Sequence, residues 1–517
     1  MALPSKLPGT TTGHRTLLAA AAVGILGTAV SAIGSGTASL WGDEAASLLS
    51  ARRSLPSLLA MVQNVDAVHG TYYLGLHFWI LLAGTSPTAL RFPSAVAIGA
   101  AAAGLVLVGA RLRGLRYGIL AGLLGAALPR MTDIGSEARS FAFSALIAVA
   151  LTLLAVLALQ RPRPRRRIWV AYGVLLALGI YVFLYLALIA ISHLVVILLT
   201  RRDLLRDWSW SFVAALAAAL PVVILAISER GQISYLETRQ LYDITALFIF
   251  PWFENPVVAA VSWPLLLAGA GIAVREWRRG ARSTSTPTTV ATGGLLPVAW
   301  LLIPPGLLLA ASVVVAVFTP RYLAMSAPAV ALLVAIPLDA LVTVGYRSSG
   351  GPRRLAAPAA WLVLAGLLAV TAPTWAEQRT PFAKNNSDWA QISAELGRLA
   401  QPGDAVAFDD ATRPSRRPRL ALRTYPAGFS GLVDVTLKTP YPLAPSWYDE
   451  TYTLAEAHAL GRLNAVTRIW LVEYAEPGVV DRDGVTTLTA MGFHRSRSVS
   501  THRSEILEYV RAAPSAE

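Results

Sequence analysis

Two adjacent carboxylates, Asp43 and Glu44, stand in the stretch "LWGDEAASLL", about seven residues after a long apolar run ends near Gly36. A carboxylate at the mouth of a membrane cavity can bind a cation, relay a proton, or act as the general base on a substrate hydroxyl. The structural alternative is that both residues cap the helix that follows, where the helix dipole favours negative charge. The two residues by themselves leave these alternatives open.

The composition predicts a polytopic α-helical membrane protein. Of the 517 residues, 55% are hydrophobic and only 14% are charged, whereas soluble proteins average about 25% charged residues. A helix needs roughly 20 apolar residues to cross the hydrocarbon layer. Runs of this kind predict about eleven spans, near residues 15–36, 90–110, 117–131, 139–160, 168–181, 183–200, 208–227, 256–274, 294–317, 322–343 and 355–372. The fifth and sixth share one apolar run, which must turn near Tyr181.

The distribution of basic residues predicts the orientation. The segments "RLRGLR", "RPRPRRR", "RRDLLRD", "REWRRGAR" and "RSSGGPRR", with the N-terminal tail, hold 20 basic residues and alternate with loops that hold far fewer. Because basic short loops stay in the cytoplasm, we expect a multi-pass protein of the cytoplasmic membrane with its N-terminus inside the cell. The net charge of +14 is therefore a topology signal and does not indicate a nucleic-acid partner.

After Ala372 the composition changes, and no later segment is long enough to span a membrane. The stretch "SDWAQISAELGRLA" predicts a helix with Ser387 as its N-cap, and "GDAVAFDD" and "RIWLVEY" predict short buried strands. We therefore expect a membrane domain over residues 1–372 and an α/β domain over 373–517, which the odd number of spans places outside the cytoplasmic membrane. The chain has no cysteine, so disulfides and thiolate sites are excluded.

The first outer loop, residues 37–90, is long for a compact membrane protein. Its opening, "WGDEAASLLSARRSLPSLLAMV", has apolar residues at helical spacing after Asp43 and predicts a helix that lies in the membrane interface. The apolar and aromatic segment 72–82 is too short to span and predicts a second interfacial helix, which Gly84 closes.

Three segments together resemble the membrane-embedded GT-C glycosyltransferases: this outer loop, "GSEARSFAFSAL" and "TPRYLAMSAPAVALL". The similarity is to the protein O-mannosyltransferase-like branch (glycosyltransferase family 39), which includes bacterial aminoarabinose transferases and actinobacterial members. It covers roughly residues 35–145 in register, with an isolated echo at 320–332. The resemblance implies a GT-C fold with an outward-opening active-site cavity. It also implies transfer of a sugar from a polyprenyl phosphate to an acceptor hydroxyl, usually with inversion.

The resemblance implies roles for the acidic residues. Asp43 would be the catalytic base that activates the acceptor, and Glu44 would assist it or coordinate a divalent cation where one is used. In the "EAR" segment, Arg139 would pair with a phosphate oxygen while Glu137 contacts the sugar or orients the arginine. A mutual salt bridge between these two is the structural alternative. Asp133 is a second acidic candidate in the same short loop.

The resemblance also marks four further residues as substrate-binding candidates. His69 follows "DAV" where many relatives have "HPP", and it would hydrogen-bond the phosphate or sugar unless it is a plain interfacial histidine. Tyr72 belongs to the His–Tyr–Tyr helix of the same pattern. Arg321 and Tyr322 are expected at the outer end of the tenth helix, where a buried positive charge suits a lipid phosphate.

High alanine, arginine and glycine usage is typical of a GC-rich genome such as an actinobacterium's, and favours mannose as the donor sugar, with arabinofuranose left open. The acceptor can be a protein, a lipoglycan or a wall polysaccharide. A membrane transporter or lipid flippase is the alternative from a different class, although the inverted repeats common in transporters are not found. The outer-loop residues Tyr235, Glu237 and Arg239 are expected to form a mobile lid.

Overall fold

The computed structural model describes residues 9–232, 243, 245–282, 288–347, 355–475 and 482–511. The chain divides into two compact units. One, here called the helical unit, comprises Met1–Ile33, Ala67–Thr71 and Arg91–Ala376; the other, the sheet unit, comprises Gly34–Asp66, Tyr72–Leu90 and Glu377–Glu517. The outer loop predicted to belong to the membrane domain therefore groups for the most part with the C-terminal residues. Tyr235, Glu237 and Arg239 lie outside the described residues.

Helices account for most of the described chain. Their bounds are α1 Gly9–Ala32, α2 Gly42–Ala51, α3 Leu55–Met61, α4 Gly70–Ala83, α5 Pro87–Leu112, α6 Leu115–Ala127, α7 Pro129–Gly135, α8 Phe141–Leu159, α9 Arg166–Val182, α10 Ala187–Thr200, α11 Leu205–Ser228, α12 Pro256–Arg282, α13 Thr288–Ser312, α14 Ala327–Arg347, α15 Ala356–Glu377, α16 Trp389–Leu399, α17 Leu420–Thr424, α18 Leu454–Ala459 and α19 Asp483–Ala490.

Within the described residues, eight helices are long and apolar enough to cross a membrane, namely Gly13–Ala32, Pro87–Leu112, Phe141–Leu159, Arg202–Ser228, Pro256–Arg279, Gly294–Ser312, Pro320–Gly345 and Ala356–Glu377. These confirm the multi-pass membrane architecture. The other three predicted spans are present as shorter helices: α6 has 13 residues, α9 has 17 and α10 has 14.

The sequence accounts for the C-terminal end of α6 and for the break between α9 and α10. Helix α6 stops at Ala127, before the predicted end at residue 131, because Leu128 precedes Pro129 and takes an extended conformation with ψ of 126°. A residue before proline is disfavoured in the helical region. The predicted division of the apolar run near Tyr181 is confirmed, since α9 and α10 are separated at Phe183.

A buried polar cluster joins three helices of the helical unit. The His193 ring on α10 is fully buried; its Nδ1 lies 2.8 Å from the Tyr172 hydroxyl on α9 and its Nε2 lies 3.2 Å from the Thr152 hydroxyl on α8. Polar groups buried without partners are costly in an apolar interior. The cluster therefore fixes the mutual register of α8, α9 and α10, and α8 begins directly after the "EAR" segment.

The sheet unit contains a five-stranded mixed sheet in the order β2-β1-β5-β7-β6 and a two-stranded one, β3-β4. The strands are β1 Ala405–Phe408, β2 Val433–Asp434, β3 Leu437–Thr439, β4 Glu450–Thr451, β5 Arg468–Tyr474, β6 His494–Ser500 and β7 Ser504–Val510. Strand β1 is parallel to β2 and β5, whereas β7 is antiparallel to β5 and β6. The predicted C-terminal α/β domain is confirmed, with β1 and β5 at the two predicted strands.

Helix α2 supplies part of the hydrophobic core of the sheet unit. Ala45 and Leu49 are fully buried in a cluster that also contains Trp389, Phe429 and Trp470. A sequence pattern shows that one face of such a helix is apolar, but not which surface covers that face. The first outer loop and the C-terminal residues therefore share one core.

Two details of this unit correct the sequence predictions. The single helix predicted after Asp43 is two helices, because Ser54 takes an extended conformation and its hydroxyl accepts from Ser57 N–H to start α3. Ser387 does not cap α16; Asp388 occupies that position, while the Ser387 hydroxyl donates to the Leu40 carbonyl at 2.6 Å. The second predicted interfacial helix is present as α4.

Candidate active site

The carboxylate pair lies in the first turn of α2. Trp41, not an acidic residue, occupies the N-cap position in an extended conformation, and Asp43 and Glu44 follow within the first turn. Negative charge there is favoured by the helix dipole, as the structural alternative expected, although neither acidic residue occupies the N-cap position itself. Glu44 is completely buried, whereas Asp43 is partly exposed. Only Asp43 of the two thus presents surface to a substrate.

Contacts with the C-terminal part of the sheet unit hold the start of α2. A Cβ added to Gly42 would lie 2.4 Å from the Ser415 carbonyl oxygen, so the backbone passes too closely for any other residue. The Tyr448 hydroxyl donates to the Gly42 carbonyl at 3.3 Å. The Leu40 N–H donates to the Tyr425 hydroxyl at 2.8 Å. The backbone on the N-terminal side of Asp43 is therefore fixed by three separate contacts.

In the helical unit, the "EAR" segment forms the bend between α7 and α8. Glu137 and Arg139 are both buried, with exposed fractions of 3% and 8%. Arg139 Nη2 lies 3.3 Å from His69 Nε2. A guanidinium can only donate, so the imidazole nitrogen is the acceptor in this contact. The structure thus brings together two of the predicted phosphate ligands.

Asp133 belongs to an ion cluster that the sequence analysis did not anticipate. Arg130 Nη1 lies 3.1 Å from Asp133 and 2.8 Å from Glu254, and Arg130 Nη2 donates to the Phe250 carbonyl. Arg130 is only 5% exposed. Arg130 lies inside the predicted span 117–131. An ionisable residue within a membrane span is usually functional, so the sequence alone could have marked Arg130 as a candidate.

Tyr322 lies in a 3-10 segment, Pro320–Ser326, directly before α14. Its ring centroid is 5.2 Å from that of Tyr185, 5.8 Å from Phe183 and 6.4 Å from Phe141. Phe141 is the first residue of α8, two positions after Arg139. The aromatic contacts therefore tie the "PRY" segment to the "EAR" segment within the helical unit. Arg321 is half-buried in the same 3-10 segment.

Tyr72 belongs to the sheet unit and is buried, with an exposed fraction of 7%. Its ring packs edge-on against Tyr73 at 6.3 Å, and the Tyr73 hydroxyl donates to Asp66. Trp447 Nε1 donates to the same carboxylate at 3.3 Å. The candidate residues thus divide between the units, with Asp43, Glu44 and Tyr72 in the sheet unit and His69, Asp133, Glu137, Arg139, Arg321 and Tyr322 in the helical unit.

Among the residues that the structure describes, no group of three or more histidine, cysteine or acidic side chains is placed to hold a metal ion. Asp43 and Glu44 are therefore not part of a preformed three-ligand cluster. Divalent cations such as Mg²⁺ and Ca²⁺ take six or more oxygen ligands, often with water among them. We derive no catalytic step through a metal.

An apolar cavity, partly open to its surroundings, lies in the helical unit between α6, α12, α14 and α15. Its walls include Leu124, Leu128, Phe253, Val334 and Leu367. Leu128 directly precedes the α7 turn that carries Arg130, and Phe253 directly precedes Glu254. One wall of the cavity is thus continuous in sequence with the ion cluster.

With this geometry established, comparisons identify similar proteins. Residues 71–227 match the family model described as dolichyl-phosphate-mannose-protein mannosyltransferase. A search of curated protein sequences found no match.

Alignments with similar solved structures extend over nearly the whole chain. ArnT from Cupriavidus metallidurans has a TM-score of 0.53, in the apo state at 12% identity and bound to undecaprenyl phosphate at 14% identity. Each alignment covers 97% of this chain and 98% of that one. AglB, an archaeal oligosaccharyltransferase from Archaeoglobus fulgidus, was solved with an inhibitory peptide and a dolichol-phosphate. It has a TM-score of 0.52 at 9% identity, over 90% of this chain and 70% of that one. The predicted resemblance to the GT-C glycosyltransferases is confirmed, and the chain has their fold.

Proposed function

We propose that this membrane protein is a glycosyltransferase that moves a sugar from a polyprenyl-phosphate donor to an acceptor hydroxyl. The observation that carries the proposal is the buried contact between Arg139 and His69 in a chain with this fold. The buried Arg139 guanidinium, 8% exposed, supplies positive charge in the bend where the family resemblance expects a phosphate ligand. Charge-assisted hydrogen bonds from arginine to phosphate are among the strongest in proteins.

Donor binding follows from the helical unit. Arg139 donates to the phosphate, and Glu137, in the same bend, contacts the sugar or orients the guanidinium. Arg321 adds a second positive charge, since the Phe141–Tyr322 contact joins its segment to the "EAR" bend. The apolar cavity between α6, α12, α14 and α15 takes part of the polyprenyl chain, because its lining offers apolar surface to a hydrocarbon.

Asp43 acts as the general base. Its carboxylate accepts the proton of the acceptor hydroxyl as that oxygen forms a bond to the anomeric carbon. The bond between the anomeric carbon and the lipid phosphate oxygen breaks, and its electron pair leaves with the phosphate. Attack opposite the leaving phosphate inverts the anomeric centre. Asp43 is favoured over Glu44 as the base because the Glu44 side chain is completely buried. Glu44, the next residue in the same helical turn, assists by adding negative charge.

Mannose is the donor sugar best supported, because the matched family model is a mannosyltransferase model. The basic loops support a reaction on the outer face of the cytoplasmic membrane, with the C-terminal domain outside. The acceptor is a hydroxyl of a protein, a lipoglycan or a wall polysaccharide.

The test measures transfer of radiolabelled mannose from polyprenyl phosphomannose to an envelope acceptor fraction by purified protein in lipid nanodiscs. We expect Asp43→Asn to lower transfer about 100-fold or more, as removal of a general base does. Asp203→Asn is the matched control, since Asp203 pairs with Arg201 at an exposed site, and it should transfer normally. Equal transfer by native protein and Asp43→Asn would remove Asp43 as the base. No transfer from mannosyl or arabinosyl donors by the native protein would overturn the enzyme assignment.

A further inference from the structure

A second, smaller cavity lies in the sheet unit, beside the C-terminal half of α2. Its lining includes Leu49 of α2 together with Arg417, Arg419, Arg423, Tyr448 and Asp449. Three guanidinium groups and the Asp449 carboxylate thus line the wall. Asp410 and Asp434 pair with Arg417 and Arg419 from beside it. The arginines come from the segment "RPSRRPRLALR", residues 413–423, which carries five arginines in eleven positions.

The innermost arginine is a fixed part of the wall. Arg419 is 4% exposed and donates to Asp434, to the Thr436 hydroxyl at 3.1 Å and to Asp449 at 3.3 Å. Its guanidinium also lies over the Phe408 ring, 5.4 Å from the centroid. Each nitrogen of the guanidinium has a hydrogen-bond partner. Arg419 therefore stabilises the wall of the cavity and contributes positive charge to it.

The other two arginines do not use all of their donors among the described residues. Arg423 uses Nε and Nη2 on Asp449, at 2.8 and 3.0 Å. Arg417 uses Nη1 on Asp410 at 3.2 Å and Nε on the Thr412 carbonyl at 3.5 Å. Within the part of the chain that the structure describes, Arg423 Nη1 and Arg417 Nη2 have no acceptor. Arginine donors of this kind suit the oxygens of phosphate and carboxylate.

The positive charge is increased by the end of α2. Arg52 Nη1 donates to the Arg423 carbonyl at 2.9 Å, and Arg53, 1% exposed, donates to the Ala444 carbonyl at 3.1 Å. Among described residues neither has a carboxylate partner. Burial lowers the pKa of both guanidinium groups, while the nearby Tyr441 acts in the opposite direction. The two remain charged, because even a lowered arginine pKa is far above neutrality.

We propose that this cavity binds an anionic group, a phosphate or a carboxylate, carried by the acceptor substrate. The proposal rests on the proposed function, and it narrows the acceptor to a molecule with a negatively charged group near its reacting hydroxyl. Leu49 follows Asp43 by six positions on one helix, which is about 9 Å along its axis. One straight helix thus carries the proposed base near one end and a wall of the cavity near the other.

The first experiment maps arginine protection in the full chain in nanodiscs. Phenylglyoxal modifies accessible arginines, and mass spectrometry of peptides reports each site. We expect inorganic phosphate, or acetate if carboxylate is preferred, to slow modification of Arg417 and Arg423 at least threefold. Arg398 is the internal control, since it is exposed and paired only with Glu395. No protection by either anion, or equal protection of Arg398, would overturn the anion site whether or not the protein transfers sugar.

The second experiment assigns the anion to the acceptor. In the transfer assay, the double variant Arg417→Gln/Arg423→Gln should raise the KM for acceptor about tenfold, with kcat and the KM for donor unchanged. Arg398→Gln should change neither constant. A raised KM for donor instead would assign the anion to the lipid phosphate and overturn the acceptor assignment. Protection without any transfer would refute the proposed function, and the acceptor assignment with it, while leaving the anion site in place.

Discussion

Arg139 and His69 are 70 positions apart in the sequence, yet Arg139 Nη2 lies 3.3 Å from His69 Nε2. The contact orients the guanidinium relative to the bend between α7 and α8. In the proposed function, Arg139 binds the donor phosphate and His69 positions Arg139.

Removal of the His69 imidazole should weaken binding of the sugar donor more than it lowers the stability of the fold. We expect His69→Leu to raise the KM for polyprenyl phosphomannose about tenfold, and Arg139→Ala to lower kcat/KM about 100-fold, which are typical values for the loss of a charge-assisted hydrogen bond. His69→Gln keeps an acceptor and should lie within about threefold of the native enzyme. If His69→Leu and His69→Gln were equally impaired, the hydrogen bond would not be the reason for the histidine.

Arg130 should act as a positioning residue that joins the chain before α12 to α7. Arg130→Met leaves Asp133 and Glu254 without their shared cation, and loss of one partner in a buried ion cluster costs about 3 kcal/mol. We expect a clear fall in thermal unfolding temperature in nanodiscs, together with a raised KM for donor. Arg130→Lys should recover part of both losses.

The control for Arg130 is Arg398→Met, which breaks the pair with Glu395 at a site where the arginine side chain is 65% exposed. Exposed pairs contribute about 0–1 kcal/mol, so the unfolding temperature should hardly change. Equal destabilisation by the two variants would refute the buried-cluster account.

Gly42 is needed for the close approach of α2 to the Ser415 carbonyl. Gly42→Ala would place a Cβ 2.4 Å from that oxygen, so the first turn of α2 must shift and Asp43 must move with it. We expect at least tenfold lower kcat, measured alongside circular dichroism to show that the helices persist. Gly75→Ala in α4 meets nothing within 4 Å and should be neutral or stabilising, because alanine is the better helix former. A similar loss in both variants would contradict the steric argument.

The apolar cavity predicts a dependence on lipid length. Thr371 lines the cavity on α15, and Thr371→Phe should fill part of it. We expect a raised KM for a long-chain polyprenyl donor and little change for a short-chain analogue. Leu362→Phe, on the same helix at a 73% exposed position, is the matched control. An equal effect on long and short donors would remove the lipid chain from this cavity.

The membrane architecture and the C-terminal strands followed directly from the sequence, because hydrophobic run length and buried β patterns are local properties. The break between α9 and α10 was predictable from the charge of the loops. Ser387 was misassigned as a cap because its hydroxyl bonds to Leu40, a partner nearly 350 positions away. Local sequence does not contain that contact.

The candidate site was predictable only in part. Asp43, Glu44, His69 and Arg139 stood out through residue type and the family resemblance. Arg130 did not, because it was hidden in an apolar run and its partner Glu254 is distant in sequence. The arginines of residues 413–423 were overlooked because a basic run in a soluble domain reads as a solvated surface until a cavity is seen beside it.

The shared core of α2 and the C-terminal residues has a consequence for biogenesis. Asp43 is synthesised more than 300 residues before Trp389, Phe429 and Trp470, which pack in the same core as α2 and follow α15 in the chain. Until then the apolar residues of α2, Ala45 and Leu49, lack these C-terminal core partners. The order of synthesis thus imposes a delay, so that Asp43, the proposed base, is fixed in position only after the C-terminal residues of the sheet unit have been made.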